Sequence, residues 1–275
     1  VDRLYALAPI VVLLGVMVSA FLVYSIKCLV GRPPEVVAAK HNQVLGRFLA
    51  RYLVWLIGPV ERRLLGKLSP NVITMASLVL CAVTGVVIAC GELASTVTLY
   101  VIAGILDVLD GRLARLSGKQ TKSGALLDSV SDRWGELFVL IGYAWLLHSS
   151  PWLLGALAAV GGSMMVSYTR ARGEGLGVQV AGGIMQRAER IVLVALGTLI
   201  AAVVDPAGGT TGVIPEILGV TLALTGAASC ATAVNRFLIA YRALRAAEPV
   251  VAPAPEAVSA RTPVVATREL SSQPG

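Results

Sequence analysis

Four aspartates are the residues whose type and spacing in this chain point most directly to chemistry. Asp107 and Asp110 stand three apart, and Asp128 and Asp132 four apart, in the stretch ILDVLDGRLARLSGKQTKSGALLDSVSDRWGE at 105–136. On a helix these spacings set side chains on one face, so each pair of carboxylates projects together. Gly111, Ala114 and Arg115 extend the first face, and Gly124 lies one turn before Asp128 on the second. The 116–123 connection is short and polar, so an antiparallel hairpin can bring the two pairs together. Four carboxylates gathered in this way repel one another. Burying each one ionised in hydrocarbon costs about 2.5–3.5 kcal/mol on insertion scales. Protonation relieves part of the conflict, as would Arg115 or Arg133, and divalent cations relieve it most fully. All-oxygen ligation without Cys or His favours Mg2+ or Mn2+ over zinc. Four Asp can hold two such ions about 4 Å apart, the arrangement used for in-line phosphoryl displacement. Competing readings are an ion-translocating acid cluster and a structural salt-bridge network. Gly111 and Ala114 either leave room for a ligand beside the acids or let membrane helices pack closely.

The elements that must position these acids are membrane helices. Of 275 residues, 56% are hydrophobic and only 14% charged, against about 25% charged in soluble domains, and the mean hydropathy is +0.78. Lipid requires every backbone amide to be satisfied within a helix, so apolar runs near 20 residues read as spans. Residues 4–30 form a first span, and a removable signal peptide is the weaker reading because no basic n-region precedes it. The basic 31–65 segment carries an interfacial amphipathic helix at 44–65, or is a plain connecting segment. Six further spans are expected at about 72–91, 97–116, 125–147, 152–169, 188–204 and 213–239, within a catalytic membrane domain at 66–245. Residues 246–275 read as a disordered cytoplasmic tail. Every basic segment falls on one side of this alternation, while the loops 92–96, 148–151 and 205–212 hold no Lys or Arg. The positive-inside rule therefore puts the N-terminus outside and the acids at the cytoplasmic face of the cell's inner membrane. The formal charge of +7 is thereby assigned to the anionic bilayer rather than to nucleic acid. Cys28, Cys81, Cys90 and Cys230 read as small buried hydrophobes rather than a disulfide frame or metal site.

Together the residues spell D-x-x-D-G-x-x-A-R, eight residues, then G-x-x-x-D-x-x-x-D, at Asp107, Asp110, Gly111, Ala114, Arg115, Gly124, Asp128 and Asp132. This pattern resembles the CDP-alcohol phosphotransferase family over roughly 66–240, with no element of the motif missing. The resemblance implies an all-α integral membrane protein with a six-helix core, to which this chain adds one N-terminal transmembrane helix. It further implies a homodimer whose cytoplasm-facing cavity binds a CDP-linked lipid, usually CDP-diacylglycerol. An alcohol hydroxyl attacks the β-phosphorus and CMP leaves, with two Mg2+ or Mn2+ ions as cofactors. Asp107, Asp110 and Asp128 match the principal metal ligands, and Asp132 the residue that completes the second metal position and takes the hydroxyl proton. A carboxylate beside a metal can act as such a base without a His. Gly111 and Ala114 match close contacts to the cytidine nucleotide, and Arg115 a basic partner near it. Asn71 and Thr74, at the start of the first core helix, supply nucleotide contacts or cap that helix.

The acceptor side is read from the SYTRARGEGLG and GIMQRAER runs. Arg170, Arg172, Arg187 and Arg190 would hold a phosphorylated alcohol by bidentate contacts, or serve as positive-inside anchors, Arg172 above all. Lys122, Arg133 and Tyr168 are further acceptor candidates, and the bulky Trp134 would reshape that pocket. These runs and LDSVSDR resemble the members that join inositol 1-phosphate to CDP-diacylglycerol. Members that make phosphatidylglycerophosphate share related features, and an unphosphorylated alcohol is a further alternative. A transporter or a non-catalytic membrane scaffold is the reading from another class; a transporter would spread its acids among several spans.

Overall fold

The computed structural model describes residues 7–31, 46–118, 120–180, 182–204 and 212–247. Most of the basic 31–45 segment, Lys119, most of the 205–212 loop and the tail beyond 247 lie outside the described residues. Eight helices make up the described chain: α1 (Ala8–Leu29), α2 (Gly46–Leu64), α3 (Pro70–Ala89), α4 (Leu93–Leu116), α5 (Lys122–Leu146), α6 (Leu153–Gly175), α7 (Arg187–Val204) and α8 (Ile214–Ala247). Of these, α1, α3, α4 and α8 are long and apolar enough to cross a membrane by themselves. Charged residues interrupt α5 and crowd the first turn of α7, so those helices depend on neighbours to shield what they carry. The architecture is an all-α, multi-pass membrane fold. At about 1.5 Å per residue, α8 is longer than a hydrocarbon core is thick. It continues past the expected end at 239, and Arg236 is buried inside the bundle. The Arg236 guanidinium donates to Gly182 O at 2.9 Å and Val166 O at 3.0 Å.

Small residues decide which helices touch. The two carboxylate helices do not form a packed hairpin: α4 and α5 hardly meet along their lengths, and each packs against α3 instead. On the α3 side, Cys81 and Gly85 face Gly135 and Gly142 of α5. A Cβ on Gly135 would stand 3.1 Å from Cys81 Sγ, so the seam closes only with small side chains. Toward α4, Ser77 Oγ donates to Ala103 O at 3.0 Å. The largest contact joins α6 to α8, and there a Cβ on Gly162 would lie 2.8 Å from Ser229 Cβ. Cys81 is buried in this way, but Cys90 and Cys230 are exposed on outward faces, against expectation; all four cysteines are free.

Polar pairs lock the remaining contacts. Arg190 of α7 is 2% exposed and donates through Nε and Nη2 to both oxygens of Glu136 on α5, at 2.5 and 2.8 Å. Arg112 of α4 donates to Glu61 of α2 at 2.5 Å, both side chains being nearly inaccessible. The amphipathic reading of α2 has its counterpart in Tyr52, Ile57 and Glu61 facing inward while Arg51, Arg62 and Arg63 are exposed.

Candidate active site

The acids reach one another from the ends of α4 and α5. Helix α4 closes with Ser117 Oγ donating to Leu113 O at 2.6 Å. Gly118 then takes φ +66, a left-handed turn that costs glycine little. Helix α5 restarts at once, because Thr121 adopts an extended conformation and its Oγ1 accepts from Gly124 N at 3.0 Å, satisfying one of the open amides of the first turn. Gly124 has no room for a side chain: its Cβ would lie 3.0 Å from Thr121 Oγ1 and 3.4 Å from Asn71 Oδ1. The cap and the first turn of α5 are thus drawn against the start of α3.

Asp107, Asp128 and Asp132 come together, each offering an oxygen within 4.8 Å of the others. Asp110 points to the adjoining side, where it is 3% exposed. Its Oδ2 accepts from Thr74 Oγ1 at 2.6 Å, and its Oδ1 is buried without a hydrogen-bond partner among the described residues. A cavity of about 220 Å³ opens beside Asp110, lined by Asn71 and Thr74 of α3, Gly111, Ala114 and Arg115 of α4, and Gly124 and Asp128 of α5. Asp128 belongs to both the cavity and the carboxylate group, so the two form one continuous site. A Cβ on Gly111 would meet Arg115 Nη1 at 3.4 Å, so the bare backbone there keeps room in the cavity beside the guanidinium. Helix α3 is capped at Ser69 with Pro70 in its first turn and no side-chain cap. Asn71 and Thr74 line the cavity, and Thr74 Oγ1 also reaches Pro70 O at 3.2 Å.

The donor set suits a hard divalent cation. Three convergent carboxylates supply oxygen ligands only, and the orphaned Oδ1 of Asp110 is an acceptor without a donor. Arg187 currently balances this charge: its Nη1 lies 2.8 Å from Asp107 Oδ2 and 2.8 Å from Asp132 Oδ1.

The other acceptor-side candidates are scattered. Arg190 faces Glu136 in the interior, and Arg170 pairs with Glu174 at 2.9 Å on the surface. Arg133 folds back on its own helix, donating to Ser129 O and, at 2.7 Å, to Ser129 Oγ. Lys122 is exposed at the start of α5, and Tyr168 is exposed on α6. Trp134 does not face the acids. It stands about 200° around α5 from Asp132, half-exposed beside Phe138 with ring centroids 5.7 Å apart. Gln120 and Thr121, absent from the sequence reading, line the cavity; their position between the two halves of the motif was the available signal. Glu136, also missed there, is the partner of Arg190.

The fold and the site are those of a multi-pass helical membrane protein with three convergent carboxylates beside a cavity. The CDP-alcohol phosphatidyltransferase family model matches residues 67–229. The chain is similar to the archaetidylinositol phosphate synthase of Methanothermobacter thermautotrophicus, at 35% identity over 54% of this chain and 78% of that protein. It is also 33% identical to the phosphatidylinositol phosphate synthase of Corynebacterium glutamicum, over 72% of this chain and 90% of the relative. Among solved structures, it matches the phosphatidylinositol phosphate synthase of Mycobacterium tuberculosis with CDP-DAG bound, with a TM-score of 0.59 and 28% identity, covering 66% of this chain and 92% of that one. The same enzyme in complex with manganese and citrate matches with a TM-score of 0.60 at 28% identity, covering 66% and 88%. The chain belongs to the CDP-alcohol phosphotransferase family, and it is an enzyme of that type.

Proposed function

We propose that this chain transfers the phosphatidyl group of CDP-diacylglycerol to a phosphorylated alcohol, inositol 1-phosphate first among them, and releases CMP. The observation that carries this reading is the continuity of the Asp110–Gly111–Arg115 cavity with the three-carboxylate group through Asp128. It is supported by the phosphatidylinositol phosphate synthases among the relatives and by the related structure that holds CDP-DAG. In this reading the cytidine diphosphate lies in the cavity, close to the backbone at Gly111 and Ala114, with Arg115, Asn71 and Thr74 as polar partners. Lipid tails stay among the apolar helix faces. Two divalent ions held by Asp107, Asp110, Asp128 and Asp132 would supply the charge neutralisation that the diphosphate needs as CMP leaves. Asp132 takes the proton of the acceptor hydroxyl as its oxygen bonds to the β-phosphorus and the bond to CMP breaks. Arg187, held 2.8 Å from both Asp107 and Asp132, meets the acceptor phosphate.

The same reading places the site at the cytoplasmic face of the inner membrane. Exposed Arg51, Arg62, Arg63, Arg115, Lys122, Arg170 and Arg172 lie near helix ends on that side of the alternation, as the positive-inside rule requires. It also takes the enzyme as a homodimer with residues 1–30 as an added span, 66–245 as the catalytic domain and 246–275 as a disordered tail. The test is CMP release by the purified protein with CDP-diacylglycerol, Mg2+ and a panel of inositol 1-phosphate, glycerol 3-phosphate, free inositol, serine and glycerol. Release should be fastest with inositol 1-phosphate. Release with none of them contradicts the reading, and a preference for free inositol or serine contradicts the phosphorylated acceptor.

A further inference from the structure

The Arg187 guanidinium stands where the proposed chemistry assigns a cation. One nitrogen bridges Asp107 of α4 and Asp132 of α5 at 2.8 Å each, much as a single ion would. It fits that place incompletely. A guanidinium brings a rigid fork of donors, and Nε here is buried without a hydrogen-bond partner among the described residues. Hydrogen bonds also hold oxygens farther apart than metal–oxygen bonds of about 2.1 Å do. Arg187 is the first residue of α7, preceded by the non-helical 182–186, and its side chain keeps 28% of its surface accessible. It therefore has both a reason and a route to leave the carboxylates.

We propose that Arg187 is a resident counter-ion that the divalent metal displaces from Asp107 and Asp132, and that the acceptor's phosphate captures it once displaced; this rests on the transferase reading above. Metal and phosphorylated acceptor then bind with positive coupling, which linkage makes reciprocal. The metal frees the guanidinium for the phosphate, and the phosphate holds it away from the carboxylates. A hydroxyl without a phosphate has no such hold, so the coupling itself selects for a phosphorylated acceptor.

The test is Mn2+ binding, read by electron paramagnetic resonance of the free ion, to the full chain in detergent micelles without CDP-diacylglycerol. Arg187→Gln should bind Mn2+ about tenfold more tightly than wild type, within the usual range of site coupling. Inositol 1-phosphate should tighten Mn2+ binding to wild type about fivefold and leave Arg187→Gln unchanged. The wild-type coupling needs no variant, so the proposal stays exposed if Arg187→Gln does not fold: no tightening by inositol 1-phosphate overturns it. Equal or weaker Mn2+ affinity in Arg187→Gln overturns the counter-ion role while leaving the transferase reading in place. No Mn2+ binding to either protein overturns both.

Discussion

Where α4, α5 and α7 meet, charged groups face one another, one pair fully buried and one bridge half-buried, whereas α1 and α2 are joined by aromatic rings. Arg187 bridges Asp107 and Asp132, and Arg190 grips both oxygens of Glu136. On the α1–α2 side, Phe21 and Tyr24 meet Phe48 and Tyr52 with ring centroids 5.2–6.0 Å apart, and Lys27 sits over Trp55. Almost all of α1 faces outward. Buried ion pairs demand one geometry, because a misplaced partner leaves a charge uncompensated. Aromatic contacts tolerate small shifts. In the first region the buried Arg190–Glu136 pair fixes the helices while the more accessible Arg187 bridge is left free to change partners, and the second region keeps a helix attached. The Glu61–Arg112 pair is where the two meet, tying α2 to the motif helix α4.

This contrast can be broken from its strong end first. Glu136→Gln leaves Arg190 buried with half its partner, and the variant should lose about 3–5 kcal/mol of stability, seen as a lower melting temperature in detergent. An unchanged melting temperature would mean that this pair does not hold α5 to α7. Gly111→Leu pushes a side chain toward Arg115 and into the cavity. Overpacking of about 1–3 kcal/mol should raise KM for CDP-diacylglycerol about ten- to hundredfold without lowering stability in proportion. A normal KM would remove the cavity from donor binding. At the weak end, Tyr52→Phe deletes the hydrogen bond to Met17 O, 2.6 Å long. It should cost about 1 kcal/mol and leave CMP release as in wild type; a large loss of activity would show that α1 and α2 steer the site.

Much of the site could be read from local spacing. The i, i+3 and i, i+4 acids and the small residues beside them fall within one stretch of sequence, and Asp107, Asp128 and Asp132 do converge. The route by which they converge could not be read there. The short connector suggested a packed hairpin, but the glycines that seat α3 against α5 belong to positions far apart in the chain, so the wedge of α3 leaves no local trace. The same holds for Arg187, which reaches Asp107 across eighty positions. Arg190 carried a usable signal: a guanidinium in an apolar helix must find an acid, and Glu136 was the acid one turn beyond Asp132. The length of α8 escaped because its last turns carry Arg242 and Arg245, which hydropathy places outside an apolar span. Hydropathy alone also marks α5 and α7 poorly, since the charges that make the site dilute the apolar runs that place it.

Asp128 joins the cavity to the acid cluster, and its replacement by Asn probes that junction with almost no change in volume. CMP release from CDP-diacylglycerol and inositol 1-phosphate should fall at least about a thousandfold, the scale of losing a charge-stabilising group in an active site. The melting temperature in detergent should stay close to that of wild type. A near-normal rate in Asp128→Asn would contradict the assignment of chemistry to these carboxylates.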